Sequence, residues 1–188
     1  MNIKEKSGQD FSIFTKFLLV IYLVALTWAI LFKFKLDIHV LGRGRSLILK
    51  PFFINEGHIN KSDFYSNVAA FVPFGIYLSA LKSKGNLFAR VMIPVIIMSA
   101  VSLLYETAQY IFKIGCSDIN DLISNTLGGI IGVIIYYILY LIFRKHTNTA
   151  VNILAGMSTA AAMGFLVVSV LNGSCEGFQN KLMAIFNF

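Results

Sequence analysis

Tyr105-Glu-Thr-Ala-Gln109-Tyr-Ile-Phe-Lys113-Ile-Gly-Cys-Ser-Asp118-Ile-Asn-Asp121-Leu-Ile-Ser-Asn125-Thr-Leu-Gly128-Gly129-Ile-Ile-Gly132 reads as two apolar helices meeting at a polar joint, and that joint decides the fold. Ser99, Ser102, Glu106, Gln109 and Lys113 follow one another at intervals of three and four residues. Asp118, Asp121, Asn125, Gly128 and Gly132 repeat the spacing. On a helix, positions so spaced fall in one stripe. The first helix therefore carries a polar stripe to lipid depth, and the second begins polar and continues as glycine. The expectation is that the two stripes pack together and place Glu106, Gln109, Asp118, Asp121 and Asn125 in one pocket.

Composition sets the solvent for this joint. The 188 residues are 57% hydrophobic and 13% charged, with mean hydropathy +0.74. Soluble domains are about 45–50% apolar and about 25% charged. These values are those of an integral membrane protein with one domain spanning residues 1–188. The formal charge of +7 is read as setting topology and meeting anionic headgroups. No basic segment is free of the membrane, so nucleic acid is not an expected partner. Two cysteines, Cys116 and Cys175, make neither a disulfide framework nor a zinc site. They are expected on one face as free thiols.

Outward from the joint, the spacing of apolar runs predicts an all-α bundle of about five spans. Phe17–Phe32 is uncharged between Lys16 and Lys33, extends back over Phe11–Phe14, and lacks a small-residue cleavage site, so it reads as an uncleaved helix. A long polar connection follows over 33–63, with an apolar run around Pro51 too short to span. Phe64–Leu81 is the second span, carrying Asn67, Pro73 and Gly75. Pro73 removes a donor opposite Ala69 and predicts a kink, with Asn67 beside the freed carbonyl. Val91–Phe112 and Leu122–Phe143 are the third and fourth spans. Ser117 reads as the N-cap of the fourth, with Asp118 and Asp121 at the positive end of its dipole. Gly128 and Gly132 allow close helix approach, with Gly129 beside them. Val151–Leu171, rich in Ala, Gly and Ser, predicts a fifth span packed tightly in the bundle, followed by a short tail.

Five spans place the termini on opposite sides, and the 16 Lys and Arg divide evenly between them. The short loops Lys82–Arg90 and Arg144–Lys145 lie close to span ends and carry the stronger topological signal, which puts the N-terminus in the cytoplasm. Alternation then gathers Arg43, Arg45, Asn67, Glu106, Gln109, Asp118 and Asp121 at one face, the outer one.

The order of these motifs resembles a known family. Asn67-x-x-x-Phe71-x-Pro73-x-Gly75, then Glu106-x-x-Gln109, then Asp118-x-x-Asp121-x-x-x-Asn125-x-x-Gly128-Gly129-x-x-Gly132 is similar to the VanZ-like family of bacterial membrane proteins. Arg45-Ser-Leu-Ile-Leu-Lys-Pro51-Phe52 resembles the Arg…Pro-Phe motif before that family's second span. The resemblance covers about residues 15–143, leaving 144–188 as a fifth helix and tail. Where relatives often carry Arg before the first Asp of the fourth motif, this chain has Gly115 and Cys116. Any equivalent cation then comes from Arg43, Arg45 or Lys113. The family is named for a member associated with resistance to the glycopeptide teicoplanin. The resemblance implies a cell-envelope protein and brings no enzymatic reaction with it.

Three functions fit the residues. The first is a non-enzymatic envelope protein that alters how a glycopeptide of the teicoplanin type reaches a lipid-linked cell-wall precursor, with Arg43, Arg45 and Lys61 suited to a pyrophosphate headgroup. The expected site is Arg45, Asn67, Glu106, Gln109, Asp118, Asp121 and Asn125, with Pro73, Gly75, Gly128, Gly129 and Gly132 as packing residues. Its expected partners are membrane lipids, and with them the lipid-linked precursor or a lipoglycopeptide. The second is a membrane enzyme acting on a lipid-linked substrate, with Glu106 and Asp118 or Asp121 as acid and base; no nucleophile–base spacing accompanies them. The third is a small transporter or channel subunit, against which stands the lack of an internal repeat. Glu106 is weighed as a ligand or catalytic group against a helix-joining hydrogen bond to Asn67, Gln109 or a serine. Oxygen groups of this kind suit hard cations, but no compact ligand motif groups them, and neither metal nor cofactor is expected. His39, His58 and His146 read as solvated or interfacial, and the aromatic residues as mostly lipid-facing.

Overall fold

The computed structural model describes residues 3–32, 46–48, 61–82, 86–113 and 116–186, with side chains over 13–31, 61–82, 86–113, 117–168 and at 171. Among them the helices are α1 (Ile3–Phe32), α2 (Lys61–Leu81), α3 (Leu87–Phe112), α4 (Ile119–Phe143) and α5 (Thr147–Phe186). Four helical stretches are long and apolar enough to cross a membrane: Ile13–Leu31, Lys61–Leu81, Leu87–Phe112 and the run Ile119–Val168. At 1.5 Å per residue, 21 residues of α2 extend about 32 Å, against a hydrocarbon core of about 30 Å. The last run is broken by a 3-10 turn at Arg144–His146, where Arg144 takes a left-handed φ of 44°.

Contacts fix the helix directions. Thr27 meets Tyr105 at 2.8 Å and Ile30 meets Gln109 at 2.9 Å, so α1 and α3 run parallel. Ser99 meets Thr126 at 3.3 Å and Ser102 meets Asn125 at 2.9 Å, so α3 and α4 run antiparallel. Gly128 lies on Val68 and Gly132 on Val72, so α2 and α4 run parallel. Thr15 bonds Asn152 at 2.7 Å, tying α1 to α5.

The tightest packing joins α2 to α4. A Cβ at Gly75 would sit 2.3 Å from Gly129 O, one at Gly128 2.2 Å from Val68 O, and one at Gly132 2.2 Å from Val72 O. Backbone therefore touches backbone, an approach that small residues permit and that replaces the hydrophobic drive missing in lipid. Gly129 instead faces the sulfur of Met98 on α3. The glycine stripe thus packs on α2, and the expected seating on α3's stripe is made by the polar start of α4, through Ser102–Asn125 and Glu106–Asp118, with Ser99 meeting Thr126 beside the stripe.

Around this seam lie Tyr22, Leu26, Phe71, Phe74, Tyr77, Met98, Val133 and Ala155. Tyr22 donates its hydroxyl to Ala70 O, and Tyr77 donates to Ala155 O at 2.9 Å beside Thr159. These aromatic residues are core, not lipid-facing bulk: the Tyr22 and Tyr77 hydroxyls find carbonyl partners on neighbouring helices, and Phe71 and Phe74 pack edge to face beside them. Helix α2 runs unbroken through Pro73. Among its described side chains, helix α5 buries one face (Thr147, Val151, Asn152, Ala155 and Thr159), while a Cβ at Gly156 or Gly164 would meet nothing within 4 Å. It is also longer than the expected span and continues to Phe186 in place of a short tail.

A short ladder departs from the all-helical expectation. Ser46–Ile48 (β1) pairs in parallel with Cys116–Asp118 (β2), Ser46 opposite Cys116 and Ile48 opposite Asp118. Three residues carry little strand signal, so alternation could not announce it. The ladder ties the α1–α2 connection to the α3–α4 connection at the polar end of the bundle. Residues 33–45 and 49–60 of the long connection, with His39, His58, Arg43 and Arg45, lie outside the described residues, as do the side chains of both cysteines.

Candidate functional site

The buried face of α3 is Pro94, Met98, Ser102, Glu106 and Gln109. Its C-terminal half is the predicted polar stripe, and each member has a partner on another element. Asn125 donates to Ser102 Oγ at 2.9 Å. The backbone N–H of Asp118 donates to Glu106 Oε2 at 2.8 Å. Gln109 Nε2 donates to Ile30 O at 2.9 Å. Ile30 is among the last four residues of α1, whose carbonyls have no intrahelical donor. Gln109 therefore caps the end of one helix from the side of another. Lys113, the fifth stripe member, takes a left-handed φ of 55° and closes α3 through its own N–H to Gln109 O; its side chain is exposed.

Helix α4 starts one residue later than Ser117 implies. Asp118 is its N-cap, accepting from Asn120 N at 2.9 Å and from Asn120 Nδ2 at 2.8 Å. A carboxylate competes well for this place because it also meets the positive end of the dipole. Asp121 follows in the first turn and accepts from Asn67 Nδ2 of α2 at 2.8 Å. Asn67 is thus bonded to α4, not to a carbonyl freed by Pro73.

These residues enclose a cavity of about 140 Å³ between α1, α2, α3 and α4. Asn67, Glu106, Gln109, Asp121 and Asn125 border it, with Ser62, Asp63 and Ser66 from the first turns of α2. Five of the predicted site residues therefore converge. Asp118 does not border this cavity; its side chain turns to Asn120 and it lies on a neighbouring depression with Ser117, Tyr110 and Glu106. Arg45 lies outside the described residues. Ser62, Asp63 and Ser66 carry no distinguishing signal in the sequence, since polar residues at a helix start are ordinary.

The cavity is rich in acceptors. Glu106 is 5% exposed, and Gln109 and Asn125 are each 1% exposed. Among the described residues, Gln109 Oε1 and Asn125 Oδ1 are buried without a hydrogen-bond partner. Leaving such an atom unpaired costs about 1–3 kcal/mol. An intramembrane acid at a helix centre costs about 2.5–3.5 kcal/mol on insertion scales. One hydrogen bond to a charged group returns about 1.5–3 kcal/mol, so the Asp118 N–H offsets much of Glu106's burial. Asp63, Glu106 and Asp121 all border the cavity, yet among the described residues no three such side chains are arranged to hold a metal ion. His146 is exposed in the turn between α4 and α5.

A model of the VanZ/LLP1 family matches residues 18–140. The chain is 38% identical over 141 residues to Protein VanZ of Enterococcus faecium, an alignment covering 72% of this chain and 79% of that protein. No solved structure matches significantly. The matched region holds every residue that borders the polar cavity, and the chain is a multi-pass membrane protein belonging to the VanZ/LLP1 family.

Proposed function

We propose that this protein crosses the cell membrane five times with its N-terminus in the cytoplasm. In this reading it lowers the access of a lipid-tailed glycopeptide of the teicoplanin type to a lipid-linked cell-wall precursor at the outer leaflet. The observation that carries the reading is the convergence of Asn67, Glu106, Gln109, Asp121 and Asn125 on one cavity near one end of the bundle. The turn at Arg144–His146 supports the span count, because the 50-residue run it interrupts is about 75 Å long, far beyond one crossing. The short basic loops at the opposite end from the cavity support a cytoplasmic N-terminus. A tailed drug is held by its lipid in the leaflet that contains the cavity, so a protein at that depth competes with it directly. A drug that approaches from water is little affected.

No chemistry on the precursor is required. Asp118, one of the two aspartates suited to an acid–base role, is engaged in capping α4. The test compares minimum inhibitory concentrations for a tailed and an untailed glycopeptide in a susceptible Gram-positive host, with mass analysis of the precursor pool. A rise for the tailed drug with an unaltered precursor is expected. Unchanged tolerance would remove the resistance role, and an altered precursor would favour an enzyme.

A further inference from the structure

The polar cavity adjoins an apolar one. Ala29, Ser66 and Ala70 border both. The second cavity, about 490 Å³, lies between α1, α2 and α5 and is lined by Tyr22, Leu26, Trp28, Pro73, Ala161 and Phe165 among others. Its volume is that of a small-molecule site, about 300–1,000 Å³. The polar part lies within about two turns of the C-terminal end of α1 and the N-terminal end of α2. From there the apolar part extends along α1 from Trp28 back to Tyr22 and along α2 from Ser66 to Pro73, about 10 Å toward the middle of the bundle. Polar near the end and apolar toward the centre is the arrangement of a membrane amphiphile.

The chemistry of the polar part states which headgroup fits. A backbone carbonyl only accepts, so the bond from Gln109 Nε2 to Ile30 O fixes the amide and leaves Gln109 Oε1 as the atom without a partner. Asn125 spends its Nδ2 on Ser102 and leaves Oδ1 in the same state. Both side chains are 1% exposed and border the cavity beside three carboxylate residues, Asp63, Glu106 and Asp121. The unpartnered amide atoms of this wall are therefore acceptors, and they call for donors. A phosphate or carboxylate head would bring more acceptors and like charge, whereas an ammonium brings three N–H donors and none of either.

We propose that the two cavities form one site for a single-chain amphiphile with an ammonium head, its chain in the α1–α2–α5 groove and its N–H donors on Gln109 Oε1 and Asn125 Oδ1. The inference rests on the reading of this end of the bundle as a binding site, and it names the ligand class. It adds to that reading a selectivity by headgroup charge that drug exclusion alone does not require.

The test uses Trp28, the chain's single tryptophan, which lines the groove. Chain-brominated dodecylamine and chain-brominated dodecanoate, both charged at pH 7, are titrated into the full-length protein in phosphatidylcholine nanodiscs, and quenching of Trp28 is followed. The expected result is saturable quenching by the amine at tenfold or more lower mole fraction than by the carboxylate. Ala161→Phe, at an exposed position of α5, fills the groove and should remove the saturable component. Gln109→Met should remove the preference for the amine and keep quenching by the chain. Asn125→Asp, which keeps the shape and adds charge, should strengthen the preference. Equal quenching by both probes, or saturable quenching that survives Ala161→Phe, would overturn the proposal. A wild-type protein without amine selectivity but with drug tolerance overturns this inference alone; wild-type selectivity without tolerance supports it and removes only the resistance reading.

Discussion

Gly132→Ala should destabilise the protein by about 2 kcal/mol, and the reason is visible in the α2–α4 seam. The new Cβ would stand 2.2 Å from Val72 O, 2.9 Å from Gly75 Cα and 3.0 Å from Ile76 N. A carbon approaches a carbonyl oxygen no closer than about 3.3 Å in ordinary Cα–H···O contacts. The helices must therefore part by about 1 Å, and a gap of about 0.5–1 Å forfeits a quarter to a half of each dispersion contact along the seam. All three opposing atoms are backbone, so none can rotate away, and the cost lies at the upper end of the usual overpacking range of about 1–3 kcal/mol. Alanine returns up to about 1 kcal/mol of helix propensity. The net of about 2 kcal/mol is roughly 30-fold in the folding equilibrium. For a chain of this size it lowers Tm by about 4–8 °C. Gly156→Ala is the internal control: nothing lies within 4 Å of its Cβ, so only the propensity gain remains. Thermal unfolding of both variants in detergent, followed by tryptophan fluorescence, compares the signs. Gly132→Ala unfolding at or above the wild-type temperature would refute the account of the seam.

Three further outcomes are expected. A double-mutant cycle on Asn67→Ala and Asp121→Ala should give a coupling of about 1–2 kcal/mol, toward the upper end of the range for hydrogen bonds inside membranes because the acceptor is a carboxylate; additivity within about 0.3 kcal/mol would show that the bond contributes nothing. Asp118→Ala should cost about 1 kcal/mol by removing the N-cap of α4, and Asp118→Asn should recover most of it in the same unfolding assay. In a background with Cys116 and Cys175 replaced by serine, a single cysteine at Gly57 should react with an impermeant thiol reagent in intact cells and one at Ser83 should not; the reverse would invert the topology.

The polar stripe on α3 is legible in the sequence because 3- and 4-residue spacing determines a helix face. Ser102, Glu106 and Gln109 are buried on that face as expected. Spacing determines no partner. It cannot say that Gly128 and Gly132 meet α2, because either neighbouring helix satisfies a glycine stripe, and only the Val68 and Val72 carbonyls decide. Nor can it pair Gln109 with Ile30, whose open carbonyl arises from where α1 stops. Ser117 and Asp118 are both good capping residue types, so residue type alone does not choose between them; the place falls to Asp118 where its N–H reaches Glu106 and its carboxylate reaches Asn120. The ladder between Ser46–Ile48 and Cys116–Asp118 leaves no mark in the sequence, since three residues show no alternation.

Glu106→Gln tests most directly whether this end of the bundle serves a function or merely joins helices. Glu106 Oε2 accepts the Asp118 N–H, and a glutamine carbonyl can accept the same bond. A purely structural role should therefore survive the change. The measurement is tolerance to a tailed glycopeptide, at matched membrane abundance, for wild type and Glu106→Gln, alongside the unfolding temperature of each purified protein. The account predicts that Glu106→Gln loses the tolerance and unfolds within about 2 °C of wild type, a shift of less than about 1 kcal/mol. Full tolerance in Glu106→Gln would contradict it and leave Glu106 as a helix-joining residue.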